Sequence, residues 1–174
     1  MAVLEIRQYP DSILRQLAKP VDTINGNIQR LIDDMFETLY AVPGLGLAAP
    51  QVGESLRLFV YDLSIAEEGK KRSPMVLINP EFMSREGEVG EEEGCLSVPE
   101  YRESVRRAAR VRVRGLDRDG KEITVEGEGL LAKLLQHEID HLDGKLFIDR
   151  ISSLKRNIYF RRLKKIKKTR EKEE

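Results

Sequence analysis

Residues 129–145, Gly-Leu-Leu-Ala-Lys-Leu-Leu-Gln-His-Glu-Ile-Asp-His-Leu-Asp-Gly-Lys, hold both histidines of the chain. Leu130, Leu131, Leu134, Leu135 and Leu142 recur at three- and four-residue steps, the pattern of a helix with one apolar stripe, and Gly144 stands where such a helix stops. At about 100° per residue, His137 and His141 project roughly 40° apart, one turn above the other, with Glu138 between them and the leucines. All three side chains therefore face the core. Two imidazoles and a carboxylate there are costly unless they are paired or bind a metal. The His-Glu-x-x-His arrangement answers that cost: imidazoles at i and i+4 converge on one ion, and the glutamate reaches a water on it as general base. The competing reading, two core histidines bonded to backbone, is weakened by the leucine phase and by the lack of any other histidine.

A catalytic site of this kind needs a third protein ligand and an open position. The longer protease pattern His-Glu-x-x-His-x-x-Gly-x-x-His is excluded, because Gly144 fits but Phe147 occupies the place of the third histidine. A downstream carboxylate, as in other zinc proteases, and the single cysteine, Cys95, remain. Cys95 sits in Glu93-Gly94-Cys95-Leu96-Ser97 with Pro99 soon after, so the backbone there can turn sharply. A lone cysteine is most often a small buried apolar residue. The flanking glutamates and Ser97 make a poor core strand and argue against that. A closed structural zinc site needs four ligands, and only three Cys and His residues exist.

A third segment, Gly44-Leu45-Gly46-Leu47-Ala48-Ala49-Pro50-Gln51, joins these two. Its glycines and alanines let backbone approach a ligand closely, and Gln51 offers an uncharged amide. In that order and spacing the three segments closely resemble the peptide deformylase family of bacterial type, over about residues 1–165, with no departure at a motif residue. The resemblance implies an α+β fold, mainly antiparallel sheets packed around a central metal-binding helix, with an N-terminal and a C-terminal helix. It implies one catalytic body over residues 1–150, with residues 151–174 a basic helix and tail of the same domain.

The function so implied is removal of the N-formyl group from the initiator methionine of nascent peptides, with release of formate. Cys95, His137 and His141 are the expected metal ligands, and Glu138 the expected general base. Gln51 and the backbone N–H of Leu96 are expected to stabilise the oxyanion. Leu45, Leu130 and Leu134 are candidate walls of an apolar methionine pocket. Gly44, Leu45 and Gly46 are expected to pair with substrate backbone like an added strand. Gly94 borders the site, and Arg102 is assigned to the substrate's far end. The cofactor implied is one divalent ion, Fe²⁺ in the cell, with Zn²⁺, Ni²⁺ or Co²⁺ able to substitute. Two other classes fit parts of the sequence: a zinc endopeptidase, and a non-catalytic, ribosome-associated protein of deformylase type.

At 174 residues the chain reads as one domain, large enough to bury about 70% of its unfolded surface. One cysteine excludes an internal disulfide framework and fits a reducing compartment. No apolar run approaches the roughly 20 residues a membrane span needs, and the first residues lack the apolar core of a signal peptide. A cytoplasmic protein without membrane or DNA partners is expected.

Ile28, Leu31, Ile32, Met35, Phe36, Leu39 and Tyr40 predict a helix over 27–41 with Asn27 as its cap. Asp11 or Ser12 is expected to cap a brief helix through Leu17. Residues 57–63 and 75–79 read as strands, and 110–116 with 123–126 as a hairpin. Residues 86–93 read as a solvated acidic loop, and 146–148 as a short strand. Arg106, Arg107, Arg110, Arg112 and Arg114 interleave with valine and read as the wet face of a strand rather than a nucleic-acid site. A last helix starts near Ser152 or Ser153. From Lys155 onward there are ten Lys or Arg and three Glu, a surplus of +7 in a chain that sums to +0. That basic tail on an acidic body is a candidate RNA contact, and the resemblance implies the ribosome near its exit tunnel.

Overall fold

The computed structural model describes residues 2–173. Helix α1 (Gly26–Ala41) is followed by strands β1 (Gly46–Ala48), β2 (Leu58–Tyr61), β3 (Met75–Glu86), β4 (Val89–Cys95), β5 (Val98–Arg107), β6 (Arg110–Leu116) and β7 (Glu122–Glu128). Helices α2 (Gly129–Leu142) and α3 (Ser153–Glu173) complete the chain. Every strand pairing is antiparallel, in a five-stranded sheet of order β1-β2-β3-β6-β7 and a separate β4-β5 hairpin. This is the expected α+β architecture.

The first sheet is covered on both faces where β1 and β2 lie. Leu58 and Val60 of β2 pack with Ile28, Ile32, Met35 and Leu39 of α1. The alternate residues, Phe59 and Tyr61, pack with Ala132, Leu135, Ile139 and Leu142 of α2. Burial on both faces explains why all four β2 residues are apolar. A third cluster joins Val98 and Val105 of β5 to Leu14, Phe147, Ile148 and Tyr159, fixing the hairpin and the root of α3 to the rest.

Several local expectations change. Asn25, not Asn27, caps α1, because its side chain accepts the Ile28 N–H at 3.1 Å, whereas Asn27 lies inside the first turn. Asp11 caps a 3-10 turn that ends at Arg15, short of Leu17. Residues 146–148 enter another 3-10 turn, Phe147–Arg150, rather than a strand, with Asp149 closing back on the Leu146 N–H at 2.9 Å. The acidic segment 86–93 is largely strand β4, paired with β5 from Val89 to Cys95. Pairing with β5 satisfies its backbone, so the glutamates need only one wet face.

The arginine run divides. Arg110, Arg112 and Arg114 are exposed and face Glu128, Glu126, Glu81 and Glu122 across the sheet at 3.0–3.7 Å, a ladder of alternating charge. Arg107 is the exception to the expected wet face. Its side chain is 4% exposed and lies between Glu93 and Asp140.

The C-terminus of α2 is fixed from two directions. Arg57 donates to the Leu142 carbonyl at 3.0 Å and pairs with Asp143 at 3.0 Å, placing a cation where the helix dipole is negative. Gly144 has φ +74°, and a Cβ there would lie 2.6 Å from the Arg15 carbonyl oxygen, so glycine is needed for both conformation and space.

Candidate active site

Helix α2, the end of β4 and the entry to β1 meet around a cavity of about 710 Å³. All the residues expected at the substrate site line it: Gly44, Leu45, Gly46, Gly94, Arg102, Leu130 and Leu134. Gln51, Leu96 and Glu138 line it as well. Leu134 is buried, and Leu130, 39% exposed, stands at the mouth. At the rim Arg102 is engaged by Glu92 at 2.7 Å.

One ligand atom each of Cys95, His137 and His141 lies within 4.8 Å of the others. Cys95 Sγ is 3.4 Å from His141 Nε2. Among the described residues, the side chain that joins the two histidines in a group able to hold an ion is this cysteine; no carboxylate does. A thiolate with two imidazoles is a donor set for zinc or ferrous iron, and three donors leave one position free. Among the described residues, two buried polar atoms, His141 Nδ1 and Glu138 Oε2, have no hydrogen-bond partner. The residues present fit a divalent ion with a reactive group beside it.

Electrostatics follow from burial among these groups. Burial alone opposes the Cys95 thiolate, but His141 and His137 outweigh it and hold the thiol well below its ordinary range. Burial likewise opposes the charged form of His137, and its bonds to Cys95 and Glu93 reverse this, raising its pKa well above the usual imidazole value. For Glu138 burial prevails over the neighbouring imidazoles and raises the carboxyl. Its carboxylate lies against Gly46, where a Cβ would meet Glu138 Oε1 at 2.9 Å. The absence of a side chain at Gly46 is what gives the carboxylate its place.

Gln51 is oriented by its own neighbours. Its Oε1 accepts the Ala48 N–H at 2.9 Å, which turns Nε2 towards Ser97 Oγ at 3.1 Å and Cys95 Sγ at 3.6 Å. The amide donor thus stands beside Cys95, one of the candidate ligands.

The sequence reading did not assign Glu93, Arg107, Ser97 or Asp140 to this site. Glu93 accepts from His137 Nδ1 at 2.9 Å, leaving Nε2 for the ion. Burial would raise the Glu93 carboxyl, but His137 and Arg107 hold it down to about 2. Arg107 grips Glu93 through Nε and Nη2 at 2.5 and 2.9 Å and reaches Asp140 through Nη1 at 2.9 Å. Carboxylates behind metal-binding histidines orient the ring and raise its basicity. The available signal was the position of Glu93 two residues before Cys95, in phase with its burial, but its acidic neighbours concealed it.

Fold and site together define the class: an α+β hydrolase with a Cys-His-His group on a His-Glu-x-x-His helix. The polypeptide deformylase family model matches residues 3–157. A peptide deformylase of Thermodesulfovibrio yellowstonii is 55% identical over 164 residues, covering 94% of this chain and 98% of the relative. The crystal structure of a peptide deformylase from Legionella pneumophila superposes with a TM-score of 0.88 at 50% identity, over 97% of this chain and 98% of the other. That of Ehrlichia chaffeensis in complex with actinonin gives 0.88 at 40% identity, over 95% of this chain and 98% of that one. This chain belongs to the polypeptide deformylase family. It is therefore read as an enzyme, and the endopeptidase and non-catalytic alternatives fall away.

Proposed function

We propose that this enzyme hydrolyses the N-formyl group of methionine at the start of nascent peptides, with Cys95, His137 and His141 holding one divalent ion. The observation that carries the reading is the partnerless Glu138 carboxylate, buried beside that three-ligand group. Bound there, the ion supplies Lewis acidity and brings the pKa of a water to about 7. Glu138 accepts the proton of the attacking water as its oxygen adds to the formyl carbon. It then delivers that proton to the methionine nitrogen as the C–N bond breaks, giving formate and a free amine. The raised carboxyl of Glu138 suits a group that must both take and return a proton. The Gln51 amide and the backbone N–H of Leu96 donate to the carbonyl oxygen as it gains negative charge.

Leu45, Leu130 and Leu134 receive the methionine side chain, and Arg102 lies towards the peptide's far end. Gly44, Leu45 and Gly46 pair with the peptide backbone as with a further strand, a reading supported by the position of β1, which begins at Gly46, at the edge of its sheet. The ion in the cell is Fe²⁺, with Zn²⁺, Ni²⁺ or Co²⁺ able to replace it. Among the described residues no helix is long and apolar enough to cross a membrane, and we place the reaction in the cytoplasm. Helix α3 forms one domain with the catalytic body through buried Tyr159, whose hydroxyl donates to the Pro99 carbonyl at 3.1 Å. Its basic outer face is assigned to the ribosome near the nascent-chain exit.

The test is formate release from a formyl-methionyl tripeptide by protein prepared without oxygen and loaded with Fe²⁺ or Zn²⁺. Turnover is expected with both and faster with iron. No formate from protein shown to contain metal would overturn the assignment.

A further inference from the structure

A second cavity, of about 360 Å³, opens on the flank of α2 turned away from Glu138, between the β3–β4 turn and the end of β5. Arg85, Arg106, Arg107 and Arg150 line it, against two carboxylates, Glu88 and Asp140. Both carboxylates are already engaged. Asp140 accepts from Arg107 Nη1 at 2.9 Å and from Arg150 Nε and Nη2 at 2.6 and 2.7 Å. Glu88 accepts from Arg106 Nη1 at 3.2 Å. The amide of Gln136 is committed to the backbone of Ala108 and Ala132.

The arginines retain free donors. Arg150 has Nη1 uncommitted, and Arg106 has Nε and Nη2. Among the described residues no carboxylate lies within ion-pair reach of Arg85, whose guanidinium rests over the Phe82 ring at 4.5 Å. The floor is rigid: the Arg107 and Asp140 side chains are 4% and 8% exposed and bonded to each other. The lining carries four arginines and two carboxylates, and with Arg107 also paired to Glu93 beneath it one positive charge is left over, its donors facing a space larger than one tetrahedral oxyanion.

We propose that this cavity binds a phosphate dianion, either inorganic phosphate or the phosphate group of a small monoester. Planar guanidinium forks match such an anion with paired hydrogen bonds. Arg85 and Arg106 come from β3 and β5, and Arg150 ends the 3-10 turn Phe147–Arg150, so the anion would tie three separate segments together. None of these three side chains lines the metal-side cavity, and binding here is independent of turnover.

The experiment is calorimetric titration of the metal-loaded enzyme with inorganic phosphate and, separately, with glycerol phosphate, at constant ionic strength set with chloride. Saturable one-site binding is expected for at least one probe, and the tighter of the two identifies the source of the phosphate. Arg85→Ala, at an exposed position, should weaken binding about tenfold or more, the scale of one lost charged hydrogen bond, while formate release stays unchanged. Arg106→Ala should act in the same direction, and Arg102→Ala should leave binding intact. Two outcomes overturn the proposal: no saturable binding of either probe, or binding that survives Arg85→Ala undiminished, which would place the anion elsewhere, including at the metal.

Discussion

The two flanks of α2 carry polar side chains at similar depth and treat them in opposite ways. On one, Gln136 makes three hydrogen bonds, and both oxygens of Asp140 are held by arginines. On the other, Glu138 Oε2 and His141 Nδ1 are buried without partners. A buried polar group left unpaired costs stability, so a fold that keeps two of them side by side reserves them for something else. Under the proposed function the saturated flank fixes the helix, and the unsaturated flank is the one that would do chemistry. Family membership accords with this division, but the division itself can be tested.

Glu138→Gln addresses it most directly. The amide cannot carry the proton between water and leaving nitrogen, so formate release should fall by about 10⁴-fold, roughly 5.5 kcal/mol of barrier. Metal content should persist, since the cluster of ligand atoms does not include Glu138. Urea unfolding should show stability unchanged or raised, because a buried carboxyl group has been replaced by a neutral amide. A stability loss as large as that expected for Asp140→Ala on the other flank would break the comparison.

On that other flank Asp140→Ala leaves Arg107 and Arg150 facing each other without their shared carboxylate. Breaking a buried pair by removing one partner costs about 3–4 kcal/mol. The urea midpoint of the metal-loaded protein should fall accordingly. An unchanged midpoint would mean that the arginines find water or Glu93 instead, and that the saturated flank does not hold the helix.

Much of the unsaturated flank was legible in sequence. A 3.6-residue period places His137, Glu138 and His141 on the buried side, and the costs of burial then imply an ion. The glycine-bounded segments around Gln51 and Cys95 were recognisable as motifs because their spacing is local. The saturated flank was not legible, for a physical reason. Glu93, Arg107 and Asp140 come from three elements, and each resembles its exposed neighbours: one glutamate in Glu91-Glu92-Glu93, one arginine in a run of five, one aspartate on a helix. Only the pairing of β4 with β5, and the seating of both beside α2, separates the buried member from the wet ones. The same non-local pairing turned the expected acidic loop at 86–93 into strand β4.

Gln136→Ala is a smaller test of the saturated flank. It removes the side chain that bonds the Ala108 N–H and C=O at 3.0 Å each, at the turn between β5 and β6. Leaving those groups unpaired should cost about 1–2 kcal/mol. Gln136→Met, similar in length but unable to bond, separates the lost hydrogen bonds from lost packing. If Met restores full stability, the flank is held by volume rather than by its polar matches.

The smallest effect is expected where an arginine of the same run lies on the surface. Arg112 faces Glu126 at 3.5 Å, with side chains 51% and 75% exposed. In such a pair water screens the attraction and two long side chains lose freedom, so the median contribution is about 0–1 kcal/mol. Arg112→Ala should therefore shift unfolding by less than about 0.5 kcal/mol and leave formate release untouched. Arg107, five residues earlier, sits between two buried carboxylates and belongs with Asp140 in its effect. A cost at Arg112 approaching that at Asp140 would mean that the ladder of Arg110, Arg112 and Arg114 acts as one connected network. Depth of burial alone would then not sort the arginines of this chain.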